Sequence, residues 1–507
     1  MYLCTAQEMR DLDRYTIDRM GLPGMVLMEN AGREAARALL ERFPEAKKAV
    51  VLAGSGNNGG DGFVIARHLA AAGWEVSVHH FGQVEKMSPE TRTFYGVCWQ
   101  MGIPVAGGNG SEELIGNADV VVDALLGTGV RGELREPLRT LIRQVNRACR
   151  GFVLAVDVPS GVDTDTGAVL GEAIRADLTV TFAAAKWCHF LRPAAQYRGE
   201  LKVVDIGIPP AVVEQNPPRA RLNRPSLWEK HLSPRSPWSH KGSHGHLLVL
   251  GGSRGMLGAA ALSGMASLRA GVGMTTLGVP RGQEGPLAAK VTEPLIWGWP
   301  DGPEGCFSGE FPMDWEERAP RFTAVAIGPG LGRFTREKPW LERLLREVPV
   351  PVVLDADGLN ILSGDLSILE QRQGATVLTP HPGEMARLLG VSVGEVESSR
   401  HRAAVDLARR YGVTTVLKGT FTVIAFPDGR QVIHPESSPA LAKAGSGDVL
   451  TGILGGMLAR GIPVESAVPL GVHLHSSAGR SAAVDSAHSV LASDVIHHLG
   501  SAIHQIR

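Results

Sequence analysis

A chain of 507 residues exceeds one ordinary domain and suits two or three. A formal net charge of −1, with 20% charged and 44% hydrophobic residues, argues against binding nucleic acid or an anionic membrane through bulk charge, so any anion site must be built locally. The leading "MYLCTAQEMRDLDRYTI" lacks an apolar signal core, no apolar run is long enough to span a bilayer, and the five cysteines are scattered without a CxxC pair; the chain reads as cytoplasmic, with free thiols.

In the first half, short apolar runs alternate with amphipathic helical patterns: "KAVVLAG", "EVSVHHF", "ADVVVDALLG", "GFVLAVDVPSG", "LTVTFAAA" and "GELKVVDIG". This predicts a parallel sheet covered on both faces, with functional loops at the carboxyl ends of its strands. Three segments fall there: "GSGNNGGDG" after residue 53, "DALLGTGVRGE" and "DVPSGVD". The first matches neither GxGxxG nor GxxxxGK[ST]. It reads as a glycine-rich turn with helix resuming at Phe63, and main-chain N–H groups turned toward a phosphate. A plain βα turn has no need of Asn57, Asn58 and Asp61. Asp157 in "DVPSG" reads either as a cap of the turn or as a proton-exchanging group. Lys186 in "FAAAKW" is a further polar candidate that could equally pack beside the sheet.

Prolines crowd residues 209–240, where helix and central strand are both disfavoured, and the domain join is placed there, between domains spanning 1–215 and 226–507. The second half restarts as strand, glycine loop and Ala-rich helix in "HGHLLVLGGSRGMLGAAALSGMASLRAG", and continues through "AVAIGPGLG", "PVVLDADGLN", "ATVLTPHPGE" and "TTVLKGTFTVIAF". In "AKAGSGDVLTG", Gly445, Ser446 and Gly447 open a helix whose free N–H groups form an anion hole, with Asp448 in its first turn. The bland alternative for Asp448 is compensation of the helix dipole. His240, His244 and His246 in "SHKGSHGH" suggest a metal run, but their spacing fits no common zinc pattern and they read as structural.

Together, "NNGGDG", "VDALLGTG" and "DVPSGVD" resemble the epimerase domain of the NAD(P)H-hydrate repair family, and "GGSRGMLGAA", "GPGLG", "DADGLN", "TPHPGE", "KG" and "AGSGDVLTG" resemble its ADP-dependent dehydratase. The resemblance implies a two-domain α/β protein, with a Rossmann-like doubly wound sheet followed by a ribokinase-like domain. It implies that the first domain interconverts the R and S hydrates of NADH and NADPH (NADHX and NADPHX). The second would return the S form to NAD(P)H while ADP becomes AMP and phosphate.

Carried over by motif, the resemblance implies hydrate contacts at Asn57, Asn58, Gly59, Gly60 and Asp61, at Gly127, Thr128, Gly129, Val130, Arg131, Gly132 and Glu133, and at Asp157. Arg131 reads equally as an exposed loop arginine. K+ is implied on Asn58, Asp123 and Ser160, whose oxygens suit a large hard cation; this favours Asp157 over Asp123 as the proton-exchanging group. In the second domain the implied hydrate contacts are Ala259, Gly330, His381 and Asp448, with Asp448 the base. The implied nucleotide contacts are Lys418, Gly419, Thr420, Phe421, Thr422, Lys443, Ala444, Gly445, Ser446 and Gly447, with Mg2+ accompanying ADP. The chain departs from the family in "SSPALAKAG", where Asn-Pro-Gly is usual, and in GSGD for GTGD. Apolar character in the helix after Gly258 suggests a homo-oligomer. The rival readings are a ribokinase-like kinase of vitamin precursors carrying a nucleotide-binding module, and a first half that only binds or scaffolds.

Overall fold

A computed structural model describes residues 1–108 and 112–506. They fall into two compact units, Met1–Arg221 and Leu222–Arg507.

Seven parallel strands cross the first unit, in the spatial order Val105–Gly107, Glu75–Phe81, Lys48–Gly54, Val120–Ala124, Phe152–Val156, Leu178–Phe182 and Glu200–Val204. Numbered along the chain this is the doubly wound order, which reverses direction between Lys48–Gly54 and Val120–Ala124. Strand residues alternate faces. Val51 and Ala53 join Leu27, Ala35 and Phe63 in one core, while Val50 and Leu52 join Leu141, Ile142 and Val145 in another. Each such buried aliphatic side chain contributes roughly 1.5–3 kcal/mol.

The glycine-rich stretch corrects the expectation of a turn. Asn57–Ala71 is one helix, and Gly56 is its N-cap. A Cβ on Gly59 would lie 1.8 Å from the Gly54 carbonyl oxygen, one on Gly60 2.5 Å from Met28 Sδ, and one on Gly62 2.6 Å from Ala124 Cβ. These glycines let the helix sit closer to the sheet and to the helix Gly24–Arg42 than larger residues permit.

The proline-rich window carries order of its own. It holds the helix Pro210–Gln215 and the strand Ala220–Leu222, in which Ala220 and Arg221 pair antiparallel with Leu3 and Tyr2. In the second unit Asn223 is 2% exposed. Its N–H donates to Ile433 O, its Nδ2 donates to Pro469 O at 2.6 Å, and its Oδ1 accepts from Trp228 Nε1 at 2.9 Å.

The second unit repeats the strand order over seven parallel strands: Leu295–Trp299, Met274–Pro280, His246–Leu250, Ala324–Ile327, Val352–Leu354, Thr376–Leu378 and Thr414–Leu417. Val423–Ala425 and Gln431–Ile433 extend it antiparallel. The helix Leu257–Arg269, expected to show an exposed apolar face, packs instead on the helix Ser446–Ala459, with Ala260, Ser263, Gly264, Ala266 and Ser267 buried. Small residues permit this: a Cβ on Gly452 would lie 2.1 Å from Ser263 O. Trp299 gathers Trp297, Trp315 and Trp340 around it at ring-centroid distances of 5.4, 5.5 and 5.7 Å. No described helix is long and apolar enough to cross a membrane, and all five cysteines are free.

Candidate functional site

Where the first sheet reverses its order, a cavity of about 860 Å³ opens. Asn57, Asn58 and Asp61 line it from the helix start, Gly127, Thr128, Gly129 and Val130 from the loop after Val120–Ala124, and Asp157 and Lys186 from its floor. Gly60 N–H already donates to Gly56 O at 3.2 Å, so the free amides belong to the residues before it, and they are set for an anion. Gly59 and Gly60, expected to touch a ligand, face strand and helix and do not line the cavity. Nor do Arg131, Gly132 and Glu133: beyond Val130 the loop turns to the surface, where Arg131 stands 4.0 Å from Asp165.

Asn58, Asp123 and Ser160 meet around one carbonyl. Asn58 Nδ2 donates to Leu126 O at 3.0 Å, and Ser160 Oγ lies 3.3 Å from the same oxygen. Asp123 is fully buried and accepts from Ser160 N–H at 2.7 Å and Ser160 Oγ at 2.5 Å. Burial pushes its carboxyl up to about 6, against those hydrogen bonds. Among the described residues no basic side chain forms an ion pair with it. A buried carboxylate amid hydroxyl and carbonyl oxygens, lacking a countercharge, suits a hard cation.

Asp157 has its counterion in Lys186, a fully buried lysine. Lys186 Nζ donates to Asp157 Oδ1 at 2.5 Å, Thr181 Oγ1 at 2.8 Å and Phe182 O at 2.9 Å. Thr181 Oγ1 also donates to Asp157 Oδ1 at 2.8 Å. Burial pushes the Asp157 carboxyl up, but the ammonium and these hydrogen bonds outweigh it and hold the group below its ordinary value. Asp157 also sits at φ +66, in the left-handed region that a non-glycine residue rarely adopts. Two more carboxyls share this floor. Asp13, from the helix Ala6–Asp18, is pushed up to about 6 by burial and the Asp157 charge, which outweigh Lys186. Asp61 is also raised well above its ordinary value, by burial first and then by Asp157 and Asp13, against Lys186. The sequence reading missed Asp13, which reaches the cavity from a distant helix; the helix pattern could have been searched for a carboxylate on its buried face.

The second cavity, of about 640 Å³, lies at the ends of Val352–Leu354, Thr376–Leu378 and Thr414–Leu417. Its lining includes His381, Lys418, Gly419, Thr420, Thr422 and the run from Lys443 to Asp448. Gly445, at φ +88, caps the helix Ser446–Ala459, and Ser446 Oγ lies 3.2 Å from His475 Nε2. Lys418 Nζ donates to Asp355 Oδ1 at 2.6 Å and stands 3.8 Å from Glu384. Burial lowers the Lys418 ammonium, but the two carboxylates outweigh it and raise it. Asp355 is 2% exposed and also accepts from Thr451 Oγ1 at 2.8 Å. A Cβ on Gly447 would sit 3.5 Å from Lys418 Nζ, so the helix start and the lysine face one space. Burial and the charge of Asp355, opposed by Lys418, push Asp448 up to about 6.

Asp355 and Glu384 were not singled out from the sequence, although "DADGLN" and "TPHPGE" carry them. His381 is half exposed and is the N-cap of the helix Pro382–Leu389: its Nδ1 accepts from Gly383 N–H at 3.0 Å and Glu384 N–H at 3.3 Å, and its Nε2 stands 3.4 Å from Glu384 Oε1. Ala259 and Gly330 are neighbours, since a Cβ on Gly330 would lie 3.1 Å from Ala259 Cβ, but neither lines this cavity, nor does Phe421. His240, His244 and His246 do not form a ligand set: His246 Nε2 pairs with Thr276 Oγ1 at 2.8 Å, while His240 caps its own short turn.

The fold and the two cavities define a fused two-site enzyme, a Rossmann-like unit joined to a ribokinase-like unit. Residues 24–188 match the model described as YjeF-related protein N-terminus, and residues 247–500 match that of NAD(P)H-hydrate dehydratase. The bifunctional NAD(P)H-hydrate repair enzyme of Moorella thermoacetica is 41% identical over 95% of this chain and 93% of its own. That of Thermofilum pendens is 37% identical over 100% and 97%. The crystal structure of the ADP/ATP-dependent NAD(P)H-hydrate dehydratase from Bacillus subtilis, co-crystallised with ATP/Mg2+, is 32% identical with a TM-score of 0.50, covering 56% of this chain and 98% of its own. The chain belongs to the family of bifunctional NAD(P)H-hydrate repair enzymes.

Proposed function

We propose that this chain repairs hydrated nicotinamide cofactors at two sites, with residues 1–221 epimerising NAD(P)H-hydrate and residues 222–507 dehydrating its S form at the expense of ADP. The observation that supports it best is the opposite treatment of neighbouring carboxyls in the first cavity. In the first, Asp157 is held ionised by Lys186 while Asp13 and Asp61 are pushed up. Such a separation gives a base and an acid within one site. Moving a hydroxyl from one ring face to the other requires a proton taken and a proton returned, and Asp157 and Asp13 supply these roles. The free amides of Asn57 and Asn58, with the Gly127–Val130 loop, receive the cofactor phosphates. K+ held by Asn58, Asp123, Ser160 and the Leu126 carbonyl would supply positive charge beside those phosphates.

In the second cavity Asp448 takes the proton of the hydrate hydroxyl as that oxygen attacks the terminal phosphorus of ADP. AMP leaves. The phosphate ester so formed then departs as inorganic phosphate, with loss of a ring proton, which restores the dihydronicotinamide. Lys418 and the amides of Gly445, Ser446 and Gly447 bind the moving phosphoryl group. Mg2+ would neutralise phosphate charge, and Asp355 is the carboxylate placed to hold it. Cytoplasmic location and self-association belong to the same reading; light scattering in solution tests the latter.

The deciding experiment incubates a mixed-epimer hydrate with the full chain and ADP and separates both epimers over time. Both epimers should disappear, with phosphate and reduced-cofactor absorbance appearing in step. A stable phosphorylated alcohol without cofactor recovery would make the chain a kinase instead. Persistence of the R form at its spontaneous rate would leave the first unit a binding module.

A further inference from the structure

The strand Gln431–Ile433 runs straight into His434, Pro435 and Glu436, and across from them His473 projects from the helix Val464–Ala482. His434 and Glu436 are two residues apart, a spacing that puts both side chains on one face of extended backbone. One ligand atom from each of His434, Glu436 and His473 lies within 4.8 Å of the others. His434 Nε2 is 3.9 Å from Glu436 Oε2, and the two imidazoles meet edge to face at 5.7 Å between centroids.

The two histidines are 2% and 8% exposed. Yet neither ring nitrogen of His434, nor Nδ1 of His473, finds a hydrogen-bond partner among the described residues. Buried nitrogens are normally satisfied, and two buried rings left with unsatisfied nitrogens beside a carboxylate are unfavourable for polypeptide alone. An electrophile there takes one nitrogen from each ring. Arg480 hydrogen-bonds Glu436, which fixes the carboxylate without exhausting its lone pairs, as partners behind metal ligands commonly do. The main-chain N–H of His434 donates to Thr422 O at 2.9 Å and anchors the other side.

We infer that His434, Glu436 and His473 form a binding site for a zinc-class divalent ion on the wall of the second cavity. Two imidazoles and one carboxylate suit a borderline ion such as Zn2+ or Co2+, whereas Mg2+ prefers oxygen ligands throughout. His434 and Glu436 both line the cavity, so the remaining coordination position faces it and takes water or a phosphate oxygen. The site stands whether or not the cavity takes a nucleotide.

The test uses the full chain stripped of metal, titrated with Co2+ alone and, by equilibrium dialysis, with Zn2+ alone. One tight equivalent should bind, with visible Co2+ absorption of a low-coordinate N/O site that Zn2+ abolishes and Mg2+ leaves in place. Glu436→Gln and His473→Gln should each weaken binding by about 100-fold. His240→Ala should leave it unchanged. Glu436 is half exposed, so its variant keeps the fold and decides the matter should His473→Gln not fold. A tight equivalent retained in Glu436→Gln, lost in His240→Ala, or missing from the parent chain overturns the assignment.

Discussion

Both sheets share one strand order over seven parallel strands, but their cavities lie in different places. In the first unit the cavity straddles the reversal of strand order, where two loops part and leave a crevice. In the second, the reversal between His246–Leu250 and Ala324–Ile327 leads to the Gly330–Ala259 contact, and the cavity lies further along, over the ends of the fifth to seventh strands. The difference follows from the helices. Ser446–Ala459 brings its N-terminus over Asp355 and Lys418, and the polar groups gather beneath it. Strand order offers a crevice; the helix start that comes to rest beside a buried charge decides which ground becomes a site.

The sharpest break between the two regions is Asp448→Asn. Nucleotide-dependent phosphate release should fall by about 10²–10⁴-fold, the usual worth of a general base, while epimerisation stays at the parent rate. Unchanged phosphate release would remove Asp448 from the mechanism. Next in size is Lys186→Met, which leaves Asp157 buried without its counterion. Breaking such a pair costs about 3–5 kcal/mol, and calorimetry should show the loss in the transition of the first unit alone. Gly59→Ala should destabilise the same unit by about 1–3 kcal/mol through the clash with Gly54 O, whereas Gly56→Ala, whose Cβ meets nothing within 4 Å, should cost only the poorer N-cap, below about 1 kcal/mol. Equal melting of these two variants would refute the packing account of the glycines.

Two smaller effects concern titration. Asp448 must be ionised to act and is pushed up to about 6, so nucleotide-dependent turnover should climb as pH rises through that value, a rise read from phosphate release. The Asp123 carboxyl also lies at about 6, above its unfolded value, so its burial weighs against the fold as pH rises from about 4 to 6. A cation bound there relieves this. Stabilisation by K+ should therefore grow with pH through about 6, and Asn58→Ala should reduce it, each read from melting temperature.

The class of fold was legible because apolar runs of strand length alternate with helical patterns, and the two aspartates best placed for chemistry, Asp157 and Asp448, stand out beside small residues. What was not legible was distance across the chain. Asp13 and His434 join their cavities through tertiary packing, and no local spacing marks them. The glycines misled for a related reason. Gly59 and Gly62 look like loop residues in isolation, because the groups that demand their smallness, Gly54 O and Ala124 Cβ, belong to strands whose placement only the fold reveals. Joining the domains through 216–225 likewise overlooked that Ala220 and Arg221 pair with Leu3 and Tyr2, and that Asn223 is tied to Ile433 and Pro469. Fragments to test independent folding are therefore better cut between 221 and 222.

The indole cluster around Trp299 gives the molecule an optical asymmetry. Four rings held in fixed mutual orientation couple their electronic transitions, and such coupling produces strong near-ultraviolet dichroism that vanishes once the rings can rotate. Of the nine tryptophans, three belong to the first unit, Trp74, Trp99 and Trp187. The intact chain thus carries an intrinsic, label-free signal weighted to its second half, against which backbone dichroism, drawn from both halves, can be compared as the protein is heated.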